Sequence, residues 1–128
     1  MPLNPERARE VLPLVDPGRL RWGWPVGLRD GALLALVAAG LTTEELVALQ
    51  ATAITMDRGT LRVDLPRHGQ AWSVNLTVDL ASRLLAWLTE RRIWATAETV
   101  FTGIQGPLTP MGIHQVLHRY RCEKRASQ

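Results

Sequence analysis

"GLTTEELVAL", Gly40 to Leu49, is the stretch that decides how this chain is built. Thr42 with Glu45 three positions later has the spacing of a capping box. The threonine oxygen can accept from the backbone N–H of Glu45, and the Glu45 carboxylate can reach back to the N–H of Thr42. Leu46 and Leu49 then point inward, so a helix is expected over 42–50. Gly40, just ahead, is suited to end the preceding helix, because it tolerates the left-handed backbone of a C-cap.

Upstream, residues 28–39 are apolar nearly all round, through Leu33, Leu34, Leu36, Val37 and Ala38. Such a helix belongs in the centre of a fold. Residues 3–15 read as a first helix, with Asn4 as cap and Pro5 at the first helical position. Asp16 to Gly27 is a turn-rich connection in which Trp22 and Trp24 are expected to pin onto the core. Downstream the period changes. Residues 53–56, 60–65 and 71–76 read as three short antiparallel strands, with turns at Asp57-Arg58-Gly59 and around Pro66 to Gln70. Helical spacing returns over 78–92, with Leu80, Leu84, Leu85 and Leu88 on one face and Asp79 as candidate cap. A mostly irregular stretch follows, with a short buried piece at Thr99 to Phe101. A last helix starts at Thr109 and carries a stripe of Ile113, Val116, Leu117 and Tyr120. The expected class is α+β and mainly helical, with helices packed around a small three-stranded antiparallel sheet.

The 128 residues suit a single domain, with a basic, frayed tail over 121–128. Charge is unevenly placed. Up to residue 113, arginines and acids cancel; Arg119, Arg121, Lys124 and Arg125 against Glu123 then supply the whole net +3. Arginine outnumbers lysine fourteen to one. A guanidinium fork recognises phosphate or carboxylate, and a GC-rich genome gives the same bias. No apolar run approaches the roughly 18 residues of a membrane span. A polar N-terminus and the lone Cys122 fit a reducing cytoplasm.

The run "RDGALLALVAAGLTTEELVALQATAITMDRGTLRV", followed by a basic hairpin, a leucine-rich helix and "VFTGIQGPLTPMGIHQVLHRY", resembles the catalytic domain of tyrosine recombinases, the phage-integrase family. Arg29-Asp30, Ala32-Leu33-Leu34, Gly40-Leu41, Glu45-Leu46 and Leu49 carry the match at the first helices. "GTLRV", "VNL" and "GPLTPMGIHQVLHRY" carry it later, in an uninterrupted order over roughly residues 3–120. The resemblance implies a DNA-cleaving site: a tyrosine nucleophile, with arginines, a lysine and histidines that neutralise the phosphate.

Residue by residue, that site is degenerate. Thr42 stands where the family has its first arginine, and threonine cannot neutralise a phosphate. Arg67 stands at or beside the family's lysine position on the hairpin "LPRHGQAW", and arginine is a poor general acid. The family's His-x-x-Arg motif and tyrosine are expected beyond the last helix, and the sequence ends at Gln128 before them. Tyr120 falls on the apolar stripe and is not the nucleophile. No catalytic residue, cofactor or metal is therefore assigned. His114, His118 and Cys122 share a helical face, but a fourth zinc ligand would have to come from afar. Trp87 is expected in the core; Trp72 and Trp94 fit either the core or a base-stacking role.

The expectation is a catalytically inactive, integrase-like protein that binds DNA weakly. Arg67, His68, Arg119, Arg121, Lys124 and Arg125 are its candidate contacts. The alternative is a protein-interaction or dimerisation remnant with no nucleic-acid role. On either reading the protein is expected not to be a monomer, its partner being a second copy or a complementing recombinase fragment. That expectation assumes that Leu33 to Val37 and the stripe of the last helix are partly uncovered.

Overall fold

The computed structural model describes residues 4–14, 26–91, 99–103, 106–107 and 109–119. Among them the order begins with α1 (Pro5–Val11) and a 3-10 turn (Leu12–Leu14), then α2 (Val26–Ala38), α3 (Thr43–Ala48) and a second 3-10 turn (Ala51–Ala53). It continues with β1 (Ile54–Asp57), β2 (Thr60–Arg67), β3 (Gln70–Asn75), α4 (Val78–Arg91), β4 (Thr102–Gly103), β5 (Gly106–Pro107) and α5 (Pro110–Arg119). The first three strands form an antiparallel sheet in the order β1-β2-β3, and β4 pairs with β5. The class is α+β and mainly helical.

α2 is the axis of the core. Ala32 to Val37 are fully buried without interruption, as an all-round apolar helix requires. α1 and α4 pack against α2, and α3 packs against α5. From α4, Leu80, Leu84, Trp87 and Leu88 are buried; from α5, Ile113, Val116 and Leu117 are. The Trp87 indole N–H donates to the Val100 carbonyl at 2.7 Å, so its polar edge is satisfied inside the core. Val100 and Phe101 are buried, as the sequence suggests.

The helix ends follow local chemistry. Asn4 Oδ1 accepts from the Arg7 N–H at 3.1 Å, and Thr109 Oγ1 accepts from the Gly112 N–H at 3.1 Å, ahead of Pro110. α2 ends in a Schellman arrangement: Leu41 N–H donates to Leu36 O and Gly40 N–H to Val37 O, with Gly40 at φ 104°. α3 is shorter than expected. Leu49 leaves the helix in an extended conformation, and its carbonyl accepts the Val100 N–H at 2.9 Å, beside an isolated bridge between Gln50 and Thr99.

Strand β2 runs two residues past the sequence estimate and contains Pro66. The register explains how. Arg67 and Gln70 close the hairpin, so Pro66 faces Ala71 as the next, non-hydrogen-bonded pair. Its nitrogen points away from β3, and β1 pairs β2 only over 60–63. No ladder bond is lost, and proline is tolerated. Both hairpin turns, Arg58-Gly59 and His68-Gly69, have two successive positive φ angles. That is the I′ geometry matching the strand twist.

Several expectations are corrected. Leu33 to Val37, Ile113, Val116 and Leu117 are not uncovered: α1, α4 and α3 cover them within the chain. Val26 and Gly27 belong to α2, not to the preceding connection. Asp79 lies inside the first turn of α4, and Thr77, whose carbonyl takes the Ala81 N–H at 2.8 Å, holds the cap position. Trp22, Trp24, Trp94, Tyr120 and the tail over 121–128 lie outside the described residues. Among the described residues no helix is long and apolar enough to cross a membrane.

Candidate functional site

The two positions singled out by the resemblance, Thr42 and Arg67, are brought into one cluster. Thr42 is exposed and caps α3: its Oγ1 accepts from the Glu45 N–H at 3.2 Å, and Glu45 Oε1 accepts from the Thr42 N–H at 2.9 Å. The capping box expected from the sequence is complete.

Arg67 reaches this box from the end of β2. Strand alternation puts Leu61, Val63, Leu65 and Arg67 on one face of the sheet. Leu65 pairs with Trp72 across the hairpin, so Arg67 lies diagonal to the indole. Its Cζ stands 3.6 Å from the Trp72 ring centroid, a cation–π contact. Nε donates to Glu45 Oε2 at 2.7 Å, and Nη2 donates both to Glu45 Oε1 at 2.7 Å and to the Gly40 carbonyl at 2.8 Å. This is a bidentate guanidinium–carboxylate fork, with a third bond to the negative end of α2. The side chains of Arg67 and Glu45 are 28% and 15% exposed, so water screens the pair only partly.

The electrostatics follow. The Arg67 hydrogen bonds hold the Glu45 carboxyl below the usual carboxylate range, against the opposing effect of burial, and the Thr42 N–H adds to the lowering. The same contact raises the Arg67 guanidinium further. An arginine so held cannot release a proton. It binds anions, and Glu45 is the anion it binds here.

His68 is exposed at the hairpin tip with φ 52°, a turn position that histidine tolerates better than most residues. Arg119 ends α5, away from the hairpin in the element order; its side chain, with Arg121, Lys124 and Arg125, lies outside the described residues. His114 and His118 sit one turn apart on α5, half-buried and exposed respectively, while Cys122 lies outside the described residues. Sequence reasoning missed the second duty of Glu45, and Trp72 as the platform under Arg67. The alternation that aligns Arg67 with Leu61, Val63 and Leu65 was the available signal.

Arginine serves local structure elsewhere too. Arg9 donates to Ala38 O at 3.0 Å and Arg83 to Leu12 O at 2.9 Å, tying helix ends together. On the outer face of the sheet, Arg62 pairs with Asp64 at 3.0 Å and with Asp57 at 3.6 Å. Asp30, fully buried in α2, is paired with Arg29 at 3.3 Å. A cleft of about 720 Å³ between the 3-10 turn after α1 and the start of α4 shares no lining residue with the Arg67 cluster.

No family model matches the chain. Over 42 residues it is 57% identical to the tyrosine recombinase XerD of Xanthomonas campestris pv. campestris, a segment covering 32% of this chain and 13% of that protein. Among solved structures it is similar to the XerH site-specific recombinase bound to its difH substrate in a pre-cleavage complex. The TM-score is 0.65 at 19% identity, over 96% of this chain and 37% of that one. It is similar also to the XerA recombinase, with TM-score 0.65 at 14% identity over 98% of this chain and 45% of that one. The chain thus spans less than half the length of these relatives. In fold over nearly its whole length, and in sequence over one 42-residue segment, it is tyrosine-recombinase-like.

Proposed function

We propose that this chain is a catalytically inactive, recombinase-like protein that binds DNA weakly and without sequence preference. One observation carries the reading. The two positions that the resemblance assigns to phosphate chemistry are both spent on internal structure: Thr42 caps α3, and Arg67 is bound to Glu45 and the end of α2. Neither is acidic enough to hand a proton to a leaving oxygen. The relationship to DNA-cleaving proteins remains in the fold, and fold alone does not confer the reaction.

On this reading DNA is held by charge outside the cluster, from Arg119, Arg121, Lys124 and Arg125, with His68 at the hairpin tip. The similarity to XerH bound to difH supports an association with DNA. Such a contact neutralises few phosphates. Fluorescence anisotropy with a labelled duplex across a salt series tests it. The expected log–log slope is shallow, about −0.9 for each phosphate contacted, and is the same for unrelated sequences. Deleting residues 119–128 abolishes binding. No binding even at low salt contradicts the reading and favours a protein-interaction role instead.

A further inference from the structure

We propose that the Glu45 carboxylate is an internal stand-in for a DNA backbone phosphate, so that Arg67 is an anion site kept occupied by the chain itself. The inference rests on the DNA-binding reading above. A guanidinium fork presents Nε–H and Nη2–H side by side, and a carboxylate or a phosphodiester fills that fork in the same bidentate way. Here Glu45 fills it, with both oxygens at 2.7 Å. The fork is held independently of Glu45, since Trp72 lies under the guanidinium and the Gly40 carbonyl takes a third bond. Removing the Glu45 charge would therefore leave a cation still aimed at the same point. Glu45 in turn is tethered by the Thr42 N–H in the first turn of α3. A tethered anion competes at high effective concentration, and a free phosphate at ordinary concentration does not displace it.

Glu45→Gln isolates the charge, because glutamine at this position still completes a capping box. A cooperative thermal melt confirms that the variant folds; Glu45→Ala, measured alongside, removes the side chain as well as the charge and so empties the fork. Two probes are applied to the full chain. With a duplex of arbitrary sequence, E45Q should bind more tightly than wild type, and its salt slope should steepen by about 0.9, one added phosphate contact. Adding Arg67→Ala should return both to the wild-type values. With inorganic phosphate alone, the Arg67 Nε–H resonance should move in E45Q and stay still in wild type. If E45Q and Glu45→Ala both match wild type with both probes, the stand-in role is overturned while any DNA binding by the tail is untouched. If neither protein binds the duplex, the DNA-binding reading fails, and the phosphate titration decides the role of Glu45 by itself.

Discussion

Arg67 and Glu45, 22 residues apart in sequence, meet through two parallel 2.7 Å hydrogen bonds that fasten the β2–β3 hairpin to the first turn of α3. The same carboxylate closes the Thr42 capping box. One acid thus joins a helix start, a hairpin and, through the Arg67 bond to Gly40, the end of α2.

Removing the guanidinium should be felt as stability. Arg67→Ala loses three charge-assisted bonds and the stack on Trp72, and should cost about 2 kcal/mol. Arg67→Lys should recover less than half of this, since an ammonium neither forks nor stacks as a plane. Urea unfolding of the three proteins measures it. Full recovery by lysine would mean that charge alone, not the fork, fastens the hairpin.

The pair also fixes a pH dependence. The folded pKa of Glu45 is depressed, so its contribution is present above the unfolded carboxylate value and is lost as pH falls through the folded one. Stability should be flat down to about pH 5 and then decline below it. In Glu45→Gln the acid-side decline should be shallower. Thermal melts of both proteins between neutral and acid pH compare them; parallel curves would contradict the assignment.

The cap is a smaller matter. Thr42→Ala should cost about 1 kcal/mol and Thr42→Ser almost nothing, because only the oxygen is used. Chemical denaturation resolves the two. A neutral alanine variant would show that the Thr42 oxygen adds nothing to the α3 start beyond the Thr42 backbone N–H, which Glu45 still caps.

Much of this was legible in the sequence because the decisive interactions are local. The capping box spans four residues, the Gly40 C-cap six, and the burial of 32–38 follows from a helix with little polar face. The hairpin was misjudged at Pro66, because proline marks a break except where its nitrogen faces no partner, and register decides that. The Arg67–Glu45 pair was not legible, since it depends on how the hairpin docks on α3. The uncovered leucines expected from the resemblance were wrong for the same reason. Burial of Leu117 is a property of the packing of α3 on α5, not of the stripe itself.

Leu117 gives that packing a direct check. It is fully buried, so Leu117→Glu places an unpaired carboxylate in the core. The expected cost exceeds about 4 kcal/mol, enough to abolish a cooperative melt in so small a chain. Near-UV circular dichroism and a thermal melt report it. A variant that stays folded and changes only its mass in sedimentation would instead mark α5 as an interface.

The central claim is that the positions aligned with recombinase chemistry now build structure and no longer cleave DNA. Incubating the protein with supercoiled plasmid and with nicked suicide duplexes carrying a recombinase core site, then resolving the products on denaturing gels, tests it most directly. The account predicts no relaxed plasmid and no protein–DNA adduct. A covalent adduct that survives denaturation would contradict it.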